Sequence, residues 1–287
     1  MGLKIWLKDK LVDENDAKVS VFDHGLLYGD GVFEGIRIYN GKIFECKAHL
    51  IRLYESAKVI LLTIPMSIEE MTAALEQTVA ANKIDDGYIR LMVTRGVGDL
   101  GINPDNCREG GTVIIIASSI RLYSEEFYEK GMKVVSVPTV RNHPMSCPPQ
   151  VKSMNYLNNI FAKMEANLAG AGEAIMYNHL GYVAEASGDN IFIVKNGILC
   201  SPPIEAGSLD GITRQIVLRL AGKEGIETVE KNLTRFDLYV ADEMFLTGTA
   251  AEVIGVVEMD GRVIGNGTPG PLTRRLRKLF FEYARSR

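Results

Sequence analysis

Strand-like and helix-like segments alternate irregularly along this chain, and that irregularity limits its fold more than any other feature. A doubly wound parallel sheet needs a regular strand–helix beat, so mixed sheets of the α+β class are expected instead. Residues 5–7 and 19–22 have strand composition, 23–31 form a glycine-punctuated loop, and 32–39 turn at Asn40-Gly41 into a returning strand at 42–44. Residues 49–62 are helical in pattern, with Leu50, Leu53, Tyr54, Ala57 and Leu61 on one face. Ser67 and Glu70 form a capping box opening a helix that runs to about residue 82. Strands at 88–95 and 112–118 flank a long polar loop, 96–111, of a length more often functional than idle.

The second half begins with a strand at 133–139. A proline-rich loop leads to Lys152 and then to a helix whose stripe of Leu157, Ile160, Phe161, Met164 and Leu168 is expected to be buried. Strands follow at 173–177 and 182–186, and a hairpin at 190–194 and 198–200. A helix opens at Gly211-Ile212-Thr213 with Ile212, Ile216, Val217 and Leu220 inward, and a strand at 243–246 ends in Thr247-Gly248-Thr249-Ala250. A last hairpin turns at Asp260-Gly261, and Pro271 begins a basic terminal helix. The expected division is a small α/β domain over 1–121, a linker over 122–131 and a large domain over 132–287 that carries Lys152.

With 287 residues, 46% of them hydrophobic, the chain can bury a sizeable core. The net charge of −4 is spread without a basic stripe, which argues against a nucleic-acid partner. No apolar run approaches the roughly 20 residues that span a bilayer, and the first residues lack a secretory pattern. The four cysteines and four histidines are scattered, so reduced thiols in the cytoplasm and no metal site are expected.

Several positions could carry chemistry. Lys152 stands between the Pro148-Pro149 pair and a helix start. An amine there is a candidate nucleophile for an aldehyde, though a solvated lysine is the commoner case. Gly211-Ile212-Thr213 offers free amides at a helix N-terminus, and Gly248-Thr249-Ala250 offers small residues and a hydroxyl after a strand; both could bind phosphate. Glu185 and Asp189 flank a turn after a strand and are surface acids unless a cationic partner buries them. Arg90 lies in an apolar strand and needs a partner there. Gly265–Gly270 formally fits a dinucleotide fingerprint, but no βαβ unit follows it, so a turn before the last helix is expected.

Taken in order, residues 23–37 (Asp-His-Gly-Leu-Leu-Tyr-Gly-Asp-Gly-Val-Phe-Glu-Gly-Ile-Arg), His49-Leu50-Ile51-Arg52-Leu53, Tyr88-Ile89-Arg90, Lys152-Ser153-Met154-Asn155-Tyr156-Leu157, Glu185–Phe192, Gly211–Arg214 and Gly248–Glu252 resemble the fold-type-IV pyridoxal 5′-phosphate enzymes. The set is most similar to branched-chain amino acid aminotransferases and covers almost the whole chain. The resemblance implies a two-domain, D-amino acid aminotransferase-like fold. It implies that Lys152 bonds covalently to pyridoxal 5′-phosphate and moves the proton, that Glu185 pairs with the ring nitrogen, and that Tyr156 holds the phenolic oxygen. Arg52, Gly211, Ile212, Thr213, Gly248 and Thr249 would surround the phosphate. Tyr88, Thr249 and Ala250 would meet the substrate carboxylate, and Phe33 would line a side-chain pocket, with Arg37 near it. Arg90 would meet the distal carboxylate of glutamate. Tyr28, Leu100 and Ile102 would come from a second subunit, which implies a homodimer.

The implied reaction is transamination of valine, leucine or isoleucine with 2-oxoglutarate. Lys152 and Tyr156 are four apart, and Lys-Ser-x-Asn also occurs in D-amino acid aminotransferases. That enzyme, an aminodeoxychorismate lyase of the same fold, and a non-catalytic binding protein are the alternatives.

Overall fold

The computed structural model describes residues 2–119 and 125–286. They form two compact units. The first comprises the N-terminal residues through 119 together with Val151–Asn155, so Lys152 belongs to it although it lies just past the midpoint of the sequence. The expected linker, 122–131, begins outside the described residues.

The first unit contains β1 (Lys4–Leu7), β2 (Lys10–Asp13), α1 (His24–Tyr28), β3 (Gly31–Tyr39), β4 (Lys42–Ile43), α2 (Cys46–Val59), α3 (Ile68–Asn82), β5 (Gly87–Thr94) and β6 (Thr112–Ser118). Its sheet runs β2-β1-β6-β5-β3-β4, with every pair antiparallel. One face packs on α2 and α3. Val32, Ile36, Ile38, Ile89 and Leu91 meet Leu50, Leu53, Met71 and Leu75 there, all fully buried. Each such side chain contributes roughly 1.5–3 kcal/mol of burial. The capping box at Ser67 and Glu70 forms as expected.

Two expectations fail in this unit. Residues 19–22 are not a strand: β1 already pairs with β2, and Val21 and Phe22 are exposed. The segment expected as a loop at 23–31 contains α1, because the Asp23 carboxylate accepts the Gly25 amide as a cap and Gly29, at φ 67°, ends the turn. In addition, α2 starts and stops earlier than its pattern suggests, leaving Leu61 exposed at positive φ.

The second unit contains α4 (Glu125–Lys130), β7 (Met132–Ser136), α5 (Leu157–Leu168), β8 (Glu173–Tyr177), β9 (Val183–Ala186), β10 (Asn190–Lys195), β11 (Ile198–Ser201), α6 (Ile212–Lys223), β12 (Thr228–Glu230), α7 (Arg235–Tyr239), β13 (Glu243–Gly248), β14 (Glu252–Met259), β15 (Arg262–Val263) and α8 (Pro271–Ser286). The sheet order is β12-β11-β10-β13-β14-β7-β8-β9, with β15 on β14. Parallel pairs (β14 with β7, β7 with β8, β11 with β12) mix with antiparallel ones, as an α+β chain should show. Phe192 and Phe245 stack at 4.9 Å in its core. Among the described residues no helix is long and apolar enough to cross a membrane.

The apolar stripe of α5 is on the opposite face from the one expected. Leu157, Ile160, Phe161, Met164 and Leu168 are exposed within this chain, and Asn159, Ala162 and Ala166 face inward. The alanines pack against Val137, Ala174 and Met176, a contact that favours small side chains. Asn159 is buried because its amide donates to the Ser187 carbonyl and its oxygen accepts from Arg141.

Candidate active site

Lys152 is held by its main chain as if by a strand. Its amide donates to Ser56 Oγ (3.2 Å), its carbonyl accepts from the Phe33 amide (3.0 Å), and Val32 and Ser153 form a β-bridge. The half-buried side chain then reaches over the Phe33 ring, with Nζ 4.7 Å from the ring centre. Strand alternation puts Phe33, Gly35 and Arg37 of β3 on one face. Met92, Arg90 and Tyr88 of β5 stand opposite them in register. Arg90 finds its partners on this face, with its guanidinium carbon 4.8 Å from the Phe33 ring centre and 5.6 Å from that of Tyr88. Gly35 is required: a Cβ there would collide with the Tyr88 hydroxyl. Arg37 lies over the Tyr39 ring at 5.0 Å. At the edge of the unit the Tyr28 hydroxyl donates to the Leu100 carbonyl, and the Leu100 and Ile102 side chains are exposed.

The opposite face of β3 carries an acid in the core. Glu34 is fully buried and accepts from Arg52 Nε (2.7 Å), Arg52 Nη2 (2.8 Å) and His49 Nδ1 (2.7 Å). His49 and Arg52 are three residues apart on α2 and so share a face. Burial alone would raise the Glu34 pKa. The charge of Arg52 and the hydrogen bond and charge of His49 outweigh it and hold the carboxyl down at about 2. Burial pushes the His49 pKa below its ordinary value, against the hydrogen bond and charge of Glu34.

In the second unit Glu185 is a buried acid. Its Oε1 accepts from Arg141 Nε and Nη2, both at 2.9 Å, and its Oε2 accepts the Leu209 amide at 2.9 Å. Arg141 is itself buried and also reaches Asn158 and Asn159. Tyr156, half-buried, precedes α5 as its cap. The two expected anion turns share one neighbour, the 187–190 turn. A Cβ on Gly211 would strike the Asn190 side chain, and one on Gly248 would strike that of Asp189. Gly211 caps α6 without a side-chain hydrogen bond, leaving the first amides, including those of Ile212 and Thr213, uncovered by any cap. Thr249 and Ala250 follow β13 in a half-buried turn, and the hydroxyl of nearby Thr247 is buried without a partner among the described residues.

The family model of class IV amino-transferases matches residues 31–259. The chain belongs to that family. A protein of Methanocaldococcus jannaschii is 52% identical to this aminotransferase, over 97% of this chain and 95% of its own. The branched-chain amino acid aminotransferase of Escherichia coli has a TM-score of 0.96 at 36% identity, covering 100% of this chain and 96% of that one. The branched-chain amino acid aminotransferase of Thermobaculum terrenum, solved in its pyridoxal 5′-phosphate form, has a TM-score of 0.90 at 29% identity, covering 100% and 95%.

The donor set of this aminotransferase fits a phosphorylated pyridine aldehyde. Its first unit carries an amine over an aromatic ring, and its second carries a buried carboxylate and a helix N-terminus whose glycine cap leaves the amides open to an anion. Four residues that hold these groups have no role in the sequence reading: Glu34, His49 and Asn190, which stand within its motifs, and Arg141, which does not. The spacing of His49 and Arg52, with one acid among apolar β3 residues, was an available signal for the first two. Arg141 has none, since its partner Glu185 is 44 residues away.

Proposed function

We propose that this chain transfers the amino group of valine, leucine or isoleucine to 2-oxoglutarate, with pyridoxal 5′-phosphate as cofactor. The observation that carries the reading is the set of Lys152, Glu185 and the uncapped start of α6, each standing at its place in the family's motifs. The names of the E. coli and T. terrenum relatives support the substrate class. When bound, pyridoxal 5′-phosphate supplies an aldehyde that accepts amines and a ring that spreads negative charge.

The chain's own groups do the rest. Lys152 Nζ would take the proton from the substrate Cα and deliver it to C4′ of the cofactor, and in the second half of the cycle would carry a proton from C4′ to the Cα of the new amino acid. Glu185, kept in place by Arg141 and the Leu209 amide, would hold a proton on the ring nitrogen. Tyr156 donates to the phenolic oxygen. Arg52, Gly211, Ile212, Thr213, Gly248 and Thr249 hold the phosphate. Phe33 and Arg37 line the side-chain pocket, and Tyr88, Thr249 and Ala250 meet the α-carboxylate. The protein works in the cytoplasm as a homodimer in which Tyr28, Leu100 and Ile102 cover the partner's substrate. The exposure of Leu100 and Ile102 supports this placement.

The test is a panel of half-reactions with L-valine, L-leucine, L-isoleucine, L-glutamate, D-alanine, D-glutamate and aminodeoxychorismate, followed by the cofactor's absorption. The branched-chain L-amino acids and L-glutamate are expected to convert it to the amine form. Conversion by D-amino acids alone would overturn the reading. Arg90 refines it. A charge on an otherwise aromatic face lets one pocket take an aliphatic side chain and a carboxylate. Arg90→Ala is expected to lower kcat/KM for glutamate about tenfold or more while leucine changes little, the range for a lost charged hydrogen bond. Equal losses for both substrates would refute the role.

A further inference from the structure

We propose that Glu34 is a positioning residue for the cofactor phosphate: it locks the Arg52 guanidinium, with His49 bracing the carboxylate from its other side. The inference rests on the proposed phosphate role of Arg52. Both Glu34 oxygens are used by the guanidinium, one by Nε and one by Nη2, so the contact fixes the plane of the fork as well as its distance. His49 Nδ1 adds a third donor on Oε2, and its ring is almost wholly buried.

A buried ion pair is an expensive way to attach a helix to a sheet. Apolar residues of like volume do the same work as well or better. The surrounding positions follow that rule, since Val32, Ile36, Leu50 and Leu53 make an apolar seam between β3 and α2. The acid departs from it opposite Arg52, whose side chain keeps 13% of its surface exposed. A long arginine side chain loses much freedom when it grips an anion. Holding it in place beforehand removes that cost from binding. Arg52 is thus set before the phosphate arrives, and Glu34 acts on the cofactor only through it.

The experiment compares pyridoxal 5′-phosphate with pyridoxal, which lacks the phosphate, in fluorescence titrations of the full-length chain freed of cofactor, with melting curves for every variant. Glu34→Gln is expected to raise the Kd for pyridoxal 5′-phosphate by roughly 10- to 100-fold, the range typical when the partner that orients a ligand-holding group is removed. Its Kd for pyridoxal should stay unchanged. In an Arg52→Lys background, which lacks the fork, Glu34→Gln should add little. Equal weakening of both ligands, or of neither, would overturn the proposal. If Glu34→Gln does not fold, His49→Phe removes one of the three donors and leaves the Arg52 contact; it should weaken the phosphorylated ligand selectively, by about threefold. Unchanged discrimination in that variant would count against the proposal. Arg52→Ala separates the layers: if it leaves the ratio of the two Kd values as in the parent, the phosphate role of Arg52 itself is wrong, whatever Glu34 does.

Discussion

Lys152→Ala is expected to abolish the covalent adduct that borohydride traps between the parent chain and its cofactor, and to reduce turnover by at least about 10³-fold. The size of the effect follows from what the side chain does. In the proposed function it would provide both the amine that bonds to the cofactor and the base that moves the proton, so one substitution would remove both contributions. The Phe33 face beneath it is aromatic, and the Arg90 guanidinium beside that ring can donate but has no acceptor for a proton. Mass spectrometry of the trapped peptide checks the assignment, because the adduct in the parent should map to the peptide containing residue 152. An adduct that persists on another lysine in the variant would show that the attachment point is misplaced.

Glu185→Gln should cost both activity and stability. In the proposed function the change would leave a neutral amide where a carboxylate pairs with the ring nitrogen, and turnover is expected to fall about 10²- to 10³-fold, the usual size of a lost preorganised charge. The same change leaves Arg141 buried without its counter-ion, and breaking such a pair typically costs about 3–5 kcal/mol. The two effects separate experimentally. Saturating cofactor should recover much of the lost melting temperature, by favouring the folded state, but not the turnover. Glu185→Gln with parental turnover would remove Glu185 from the mechanism.

Most of the strands and helices are legible because their signals are local. The Asn40-Gly41 turn, the Ser67 capping box and the run from 87 to 94 depend on neighbours a few residues away. Residues 19–22 misled because strand composition does not say whether a partner is available, and β2 had already taken the edge of β1. The α5 stripe misled for a related reason. Periodicity identifies residues that share a face, but it cannot say which face meets the sheet of the same chain. Two alanines and an asparagine took that position because the packing there is close and the buried asparagine has polar partners. The site shows the same contrast. Lys152, Glu185 and the two glycine turns sit in contiguous motifs, whereas Glu34 with Arg52, and Glu185 with Arg141, are matched across long stretches of sequence. Long-range charge pairing leaves little trace in local pattern.

The strand-like anchoring of Lys152 bears on how fast its proton can travel. Its amide is tied to Ser56 and its carbonyl to Phe33, so the Cα is a fixed pivot. Motion of Nζ then requires only rotation about the single bonds of the side chain, which takes nanoseconds or less, against turnover times of roughly a tenth of a second for a typical enzyme. No backbone rearrangement has to precede proton delivery. If Lys152 is the base, as proposed, its reach is then not the slow event in the cycle.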